Sequence, residues 1–173
     1  MRKLSKTKPS GMDSFLEKVE KTIADHGFMV LMTSKEIPEG MLGMFYTVGL
    51  HDKGLPEIIT FGLPPDAGKS FLNQAAARLI AGELPLDTPI EKIGSLPVMF
   101  KAVDPETGAG HLNVANSRAA HQVPAIQLFW SDEAGRFPWD AGYDVRFLPM
   151  QPLLHLPPET PEEGQTPSSP TVH

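Results

Sequence analysis

Two short stretches of this chain hold residue types that could do chemistry. In the first, Tyr46, Thr47 and His51 lie on or just after one predicted strand, and Asp52 follows His51 directly. An imidazole beside a carboxylate is the usual makings of a general base. In a strand, Tyr46 and Val48 share one face and Thr47 takes the other. In the second stretch, Phe137-Pro138-Trp139-Asp140, a proline-stiffened turn sets an indole beside a carboxylate. That pairing suits a polar ligand with one apolar side. With Trp130 added, these residues outline a candidate cleft near Tyr46, His51, Trp130 and Trp139. Each has a plainer reading: His51-Asp52 as a solvated loop pair, Trp139 as a plug at the core edge, Asp140 as an acceptor for nearby backbone N–H groups.

Other patterns carry less. Gly62 to Ser70 reads Gly-Leu-Pro-Pro-Asp-Ala-Gly-Lys-Ser, after a predicted strand and into a predicted helix. This mimics a phosphate-binding loop, but the spacing between Gly62 and Gly68 is one residue too long. Pro64 and Pro65 also lack the N–H donors that such a loop aims at phosphate. The expectation is a plain strand-to-helix turn with Lys69 in water. His26, His111, His121, His155 and His173 form no HExxH or HxxxH pair, so no metal site is expected. Asn73 and Gln127 are polar among apolar neighbours. Their default role is to tie loops to strands. Glu57 opens a strand, where a structural salt bridge is the default. There is no Gly-x-Ser-x-Gly elbow for a hydrolase.

These residues need a scaffold, and the pattern supplies an α+β one. Phe15, Leu16, Val19 and Ile23 form the apolar stripe of a helix capped at Asp13 or Ser14 and closed by His26-Gly27. Strands are predicted at 28–33, 43–50, 57–62, 98–103 and 125–130, with a turn at 34–40. Pro64-Pro65 open a second helix, with Phe71, Leu72, Ala75, Ala76, Leu79 and Ile80 on its buried face. A short helix at 112–120 is ambiguous. Residues 131–152 look irregular, and their rings, Phe137, Trp139, Tyr143 and Phe147, are expected to fold back onto the sheet. The short link between the strands at 43–50 and 57–62 predicts a mainly antiparallel or split-barrel-like sheet of about five or six strands with two main helices.

Composition bounds the rest. With 173 residues and 40% hydrophobic content, the chain suits one core. Residues 1–11 read as a flexible basic arm, 12–156 as a single globular domain and 157–173 as a disordered proline-rich tail. That tail holds five prolines and three glutamates and little to bury. The absence of cysteine rules out disulfides and thiolate chemistry and fits a cytoplasmic location. The net charge is -6, although four of the 15 basic residues fall in the first eight positions. So acidic a body disfavours nucleic acid as a partner. No stretch approaches the roughly 18 apolar residues of a membrane span, so no membrane association is expected.

Three segments taken together resemble a known family. They are Tyr46-Thr47-Val48-Gly49-Leu50 with Leu55-Pro56-Glu57-Ile58-Ile59 and Phe61-Gly62-Leu63; Leu72-Asn73 with Gly82 downstream; and Gln127 to Asp132 with Gly135-Arg136-Phe137-Pro138-Trp139-Asp140. In this order and spacing the chain resembles a family of bacterial proteins catalogued as a domain of unknown function, number 4262, over about residues 12–152. Members often carry His before Pro-Glu, where this chain has Leu55. The resemblance implies no particular activity. Without a catalytic constellation, the expected function is a non-catalytic binding or interaction module, such as a partner or immunity-type protein. A protein partner or a small molecule would be its ligand, and no cofactor is expected. The alternative is a small split-barrel-like enzyme or binder of flavin mononucleotide, argued by analogy of fold alone.

Overall fold

The computed structural model describes residues 11–33, 43–91 and 93–159. The expected turn at 34–40, all but the last residue of the N-terminal arm, and residues 160–173 of the tail lie outside the described residues.

Helix α1 (Gly11–His26) comes first, followed by strands β1 (Met29–Thr33), β2 (Met44–Val48) and β3 (Glu57–Phe61). Helix α2 (Pro65–Ile80) and strand β4 (Val98–Ala102) follow, then the short helices α3 (Pro105–Gly108) and α4 (Asn113–Ala119) and strand β5 (Ala125–Trp130). Two 3-10 segments, Leu50–Lys53 and Val145–Met150, complete the described elements. The sheet order is β1-β2-β3-β5-β4. Three neighbouring pairs are antiparallel, but β3 and β5 run parallel, with Glu57 opposite Ala125 and Ile59 opposite Gln127.

The sheet is thus mainly antiparallel, as expected, with one parallel pair at its centre, and it is open rather than closed as a split barrel would be. The reason for the parallel pair lies in the long connection from β3 to β5. It carries α2 across one face and returns through β4 and α4, and a crossover of that kind can deliver a parallel neighbour. The sequence of β5 fits this central place. All six of its residues are buried, as expected for a strand covered on both faces.

Two apolar layers enclose the sheet. On one face Phe71, Leu72, Ala75 and Ala76 of α2 pack against Phe45, Ile58, Phe100, Ile126, Leu128 and Trp130. Gly68 is part of this contact, because a Cβ there would overlap the Phe45 ring. The glycine of the phosphate-loop mimic thus serves helix-to-sheet packing, and Lys69 is exposed. On the other face Val19 and Ile23 of α1 and Ala115 of α4 cover Leu31, Tyr46, Val48 and Ile59. Leu16, expected in the apolar stripe of α1, is exposed. The helix starts at Gly11, so Asp13 and Ser14 sit within its first turn. Fully burying a side chain such as Leu72 or Ile59 contributes about 1.5–3 kcal/mol, so these two layers dominate the stability of the fold.

Candidate functional site

The Tyr46–His51 stretch builds a polar junction at the start of β3. The Glu57 carboxylate is only 1% exposed. It accepts the Thr47 hydroxyl at 2.6 Å and the N–H groups of Gly49 and His51 at 2.9 and 3.1 Å. Thr47 Oγ1 in turn accepts the N–H of Ile58 at 2.8 Å. Gly49 makes the junction possible. Its φ of 112° is left-handed territory, and a Cβ there would crowd Ile23 and the Gly27 carbonyl. Burial pushes the Glu57 carboxyl above its ordinary 4.5, while the hydrogen bonds from Thr47, His51 and Gly49 pull against that rise. The salt bridge expected for Glu57 is replaced by these neutral donors.

The other polar groups here are held by partners too. Tyr46 is buried, and its oxygen accepts the N–H of Val114 at 3.2 Å. Burial raises its phenol above 10.0. Asp52 does not activate His51. Its carboxylate pairs with Arg118 at 2.6 Å, and Arg118 also reaches Glu20 at 2.7 Å, which ties α4 to α1 and to the 3-10 turn. The bond from Arg118 holds the Asp52 carboxyl below 3.8. The His51 ring meets His121 edge-on, 5.0 Å between centroids. Among the described residues, no group of three or more His, Asp or Glu is arranged to hold a metal.

The Phe-Pro-Trp-Asp stretch builds something different. Asp140 accepts the N–H of Phe137 at 2.8 Å and returns its own N–H to the Phe137 carbonyl at 2.9 Å, closing the turn. The plug at the core edge is Phe137, 2% exposed, which packs with Met99 and Phe129. Trp139 lies over that plug and stays 37% exposed. Its ring stacks on Phe137 with planes 6° apart and centroids 5.5 Å apart. It meets Phe129 and His155 edge-on at 5.0 and 5.5 Å. The Lys101 ammonium sits 4.6 Å from the Trp139 ring centre and pairs with Asp87 at 2.8 Å. Burial and then the nearby Lys101 charge hold the His155 imidazole below 6.5. Its Nδ1 is buried without a hydrogen-bond partner.

Two buried side chains anchor this region. Asp132 accepts the N–H groups of Ala134, Arg136 and Asp144 and the Nε–H of Arg136. The Gln151 amide brackets Trp130, accepting its N–H at 2.9 Å and donating to its carbonyl at 3.0 Å. The rings expected to fold back do so: Phe137 and Tyr143 are buried, and Phe147 packs on the α2-side core.

Of the residues expected near one cleft, Tyr46 and Trp130 lie in opposite layers of the sheet. Trp130 is buried on the α2 side of the sheet, with its indole N–H given to the Phe61 carbonyl at 2.7 Å. Tyr46 belongs to the opposite layer. The ring partners of Trp139 are Phe129, Phe137 and His155, and neither Tyr46, His51 nor Trp130 is among them. Gln127 ties a loop to a strand as expected, donating to the Pro152 carbonyl and accepting the Leu154 N–H. Asn73 is exposed on α2. Neither Lys101 nor His155 belongs to a local motif that would mark it as a neighbour of Trp139. Strand alternation could have placed Lys101 on the Phe129 face, since it shares that face with Met99.

Among the described residues, no helix is long and apolar enough to cross a membrane. No curated protein and no solved structure matches the chain. A family model described as a domain of unknown function (DUF4262) matches residues 22–144, which takes in both the Glu57 junction and the Trp139 turn. At more than two-thirds of the chain, that match establishes that this protein belongs to the DUF4262 family.

Proposed function

We propose that this protein is a binding module that engages a protein partner through the surface around Trp139. One observation carries the reading: Trp139 is 37% exposed yet fixed by a stack on Phe137 and by edge contacts to Phe129 and His155. A large ring already held in place loses little entropy on binding, which is why Trp is enriched at the energetic centres of interfaces. Lys101, paired with Asp87, gives the ring a charged rim. Tyr46, Thr47, Glu57, Trp130 and Asp140, by contrast, spend their polar atoms on internal bonds. Such bonds make a fold rather than a catalytic apparatus.

The test is to recover partners from the source cells with the full chain, then measure each affinity by calorimetry. Trp139→Ala should weaken binding at least tenfold while the variant still folds. Unchanged affinity for every recovered partner would overturn the reading.

A further inference from the structure

We infer that β1 is a self-association edge, where two copies of this chain pair antiparallel and join their sheets. The inference is independent of the Trp139 reading and starts from the unequal treatment of the two sheet edges. The outer side of β4 is covered by its own chain. Asp87 donates its N–H to the Phe100 carbonyl at 2.8 Å, and Ile90 and Val98 exchange both backbone bonds at 2.8 and 2.9 Å. Strand β1 pairs with β2 on its inner side and has no second strand neighbour among the described residues.

An uncovered edge offers a row of backbone donors and acceptors, and natural proteins blunt such edges with charge, proline or a bulge. Strand β1 uses none of these. Its sequence is Met29-Val30-Leu31-Met32-Thr33, and all five residues stay in regular register with β2. Met32 is 47% exposed.

The strand is also its own complement, which favours a second copy over a foreign peptide. Antiparallel pairing centred on Leu31 sets Leu31 against Leu31, Val30 against Met32 and Met29 against Thr33. A two-fold axis perpendicular to the sheet keeps each side chain on its own face. Val30, which packs on the α2-side core, and Met32 then extend that layer across the junction. Leu31 and Met29 extend the α1-side layer in the same way. Val30, Leu31 and Met32 each gain an apolar partner across the junction, and no charge is buried. Five paired residues bury less than the roughly 1,200 Å² of a stable standard interface, so the association is weak and depends on concentration.

Sedimentation equilibrium of the full chain from about 5 to about 500 µM, the range of weak binding, tests this. The weight-average mass should rise from 18.9 kDa toward twice that value. Met32→Lys should hold the mass at 18.9 kDa throughout, because it places an ammonium in the shared apolar layer. Met32 is already half exposed, so the variant should melt close to the parent. Amide hydrogen exchange at residues 29–33 gives a second measurement, with protection growing as concentration rises. A constant mass for the parent, or equal association of Met32→Lys, would overturn the inference. So would full protection of these amides in dilute monomer, because another part of the same chain would then occupy the edge.

Discussion

The Glu57 junction and the Trp139 platform each gather several side chains around one residue, and they treat that residue in opposite ways. Glu57 is fully enclosed and receives three hydrogen bonds from Thr47, Gly49 and His51. Trp139 is held by ring contacts, but more than a third of it faces solvent. Buried polar groups are costly unless satisfied, so the junction is arranged to leave nothing unpaired. An aromatic ring carries no such penalty and can remain at the surface. Perturbation of the junction is therefore felt as lost stability, whereas perturbation of the exposed edge of the platform is felt as lost binding.

The largest expected effect is under the platform. Phe137→Ala empties a buried site and should cost about 3–5 kcal/mol, which is about 10 °C in melting temperature for a chain of this size. Trp139→Ala should cost about half as much, because the ring is only partly enclosed. Thermal melts of the two variants side by side check this. Equal losses would make Trp139 a second plug and weaken its claim as a contact surface.

Glu57→Ala comes next. It strands the Thr47 hydroxyl and the Gly49 and His51 N–H groups, and an unsatisfied buried group costs about 1–3 kcal/mol. A loss of roughly 3 kcal/mol in urea unfolding is expected. Less than about 1 kcal/mol would mean that water reaches the junction and that the contrast with the platform is overstated.

Much of this organisation was legible in the sequence, and the gaps have physical causes. The five strands and the two long helices follow from apolar period and from Pro64-Pro65 and Gly27 at helix ends. The parallel pairing of β3 with β5 did not, because it depends on where a long crossover returns. The near-continuous apolar run of β5 held that information, since a half-exposed antiparallel strand would alternate. An Asp closing a Pro-Trp-Asp turn points to an acceptor of a backbone N–H, and Asp140 takes that place. Tyr46 and Trp130 fall in opposite layers because the register relating their strands is set by pairing across the sheet, which neither strand's own sequence carries. The ion pair that a carboxylate at the start of a strand leads one to expect at Glu57 is absent because its donors are mostly backbone N–H groups, which leave no trace in residue type.

The charge on Glu57 gives a smaller, pH-dependent effect. Its folded pKa lies above the ordinary 4.5, so the unfolded chain ionises first as pH rises. Glu57 therefore favours the fold most below 4.5, and that contribution is lost as pH climbs through the raised folded value, by about 1.4 kcal/mol for each unit of elevation. Asp52, held low by Arg118, acts below 3.8 and in the opposite sense. His155, held below 6.5, also opposes Glu57 within the same window. The difference between the parent and Glu57→Gln isolates the carboxylate. Unfolding free energies from pH 4.5 to 8 should decline more steeply in the parent. Parallel curves would show that the three hydrogen bonds fully offset burial.

The smallest expected effect tests the edge of the platform. Lys101→Met removes the ammonium beside Trp139 and the pair with Asp87, but keeps most of the side-chain bulk. A solvent-facing ion pair contributes about 0–1 kcal/mol, and a cation near an aromatic face adds about 0.5–1 kcal/mol at an exposed site. The methionine that replaces it can still pack on the ring. The net change in stability should therefore stay below about 1 kcal/mol. The electrostatic consequence is easier to see. Lys101 opposes the protonation of His155, so its removal should raise the His155 pKa, while burial, the larger cause, keeps it below 6.5. NMR titration of the His155 ring in both proteins measures the shift. An unchanged pKa would mean that the ammonium is screened from the imidazole, and Lys101 would then lose its place in the charged rim of the Trp139 surface.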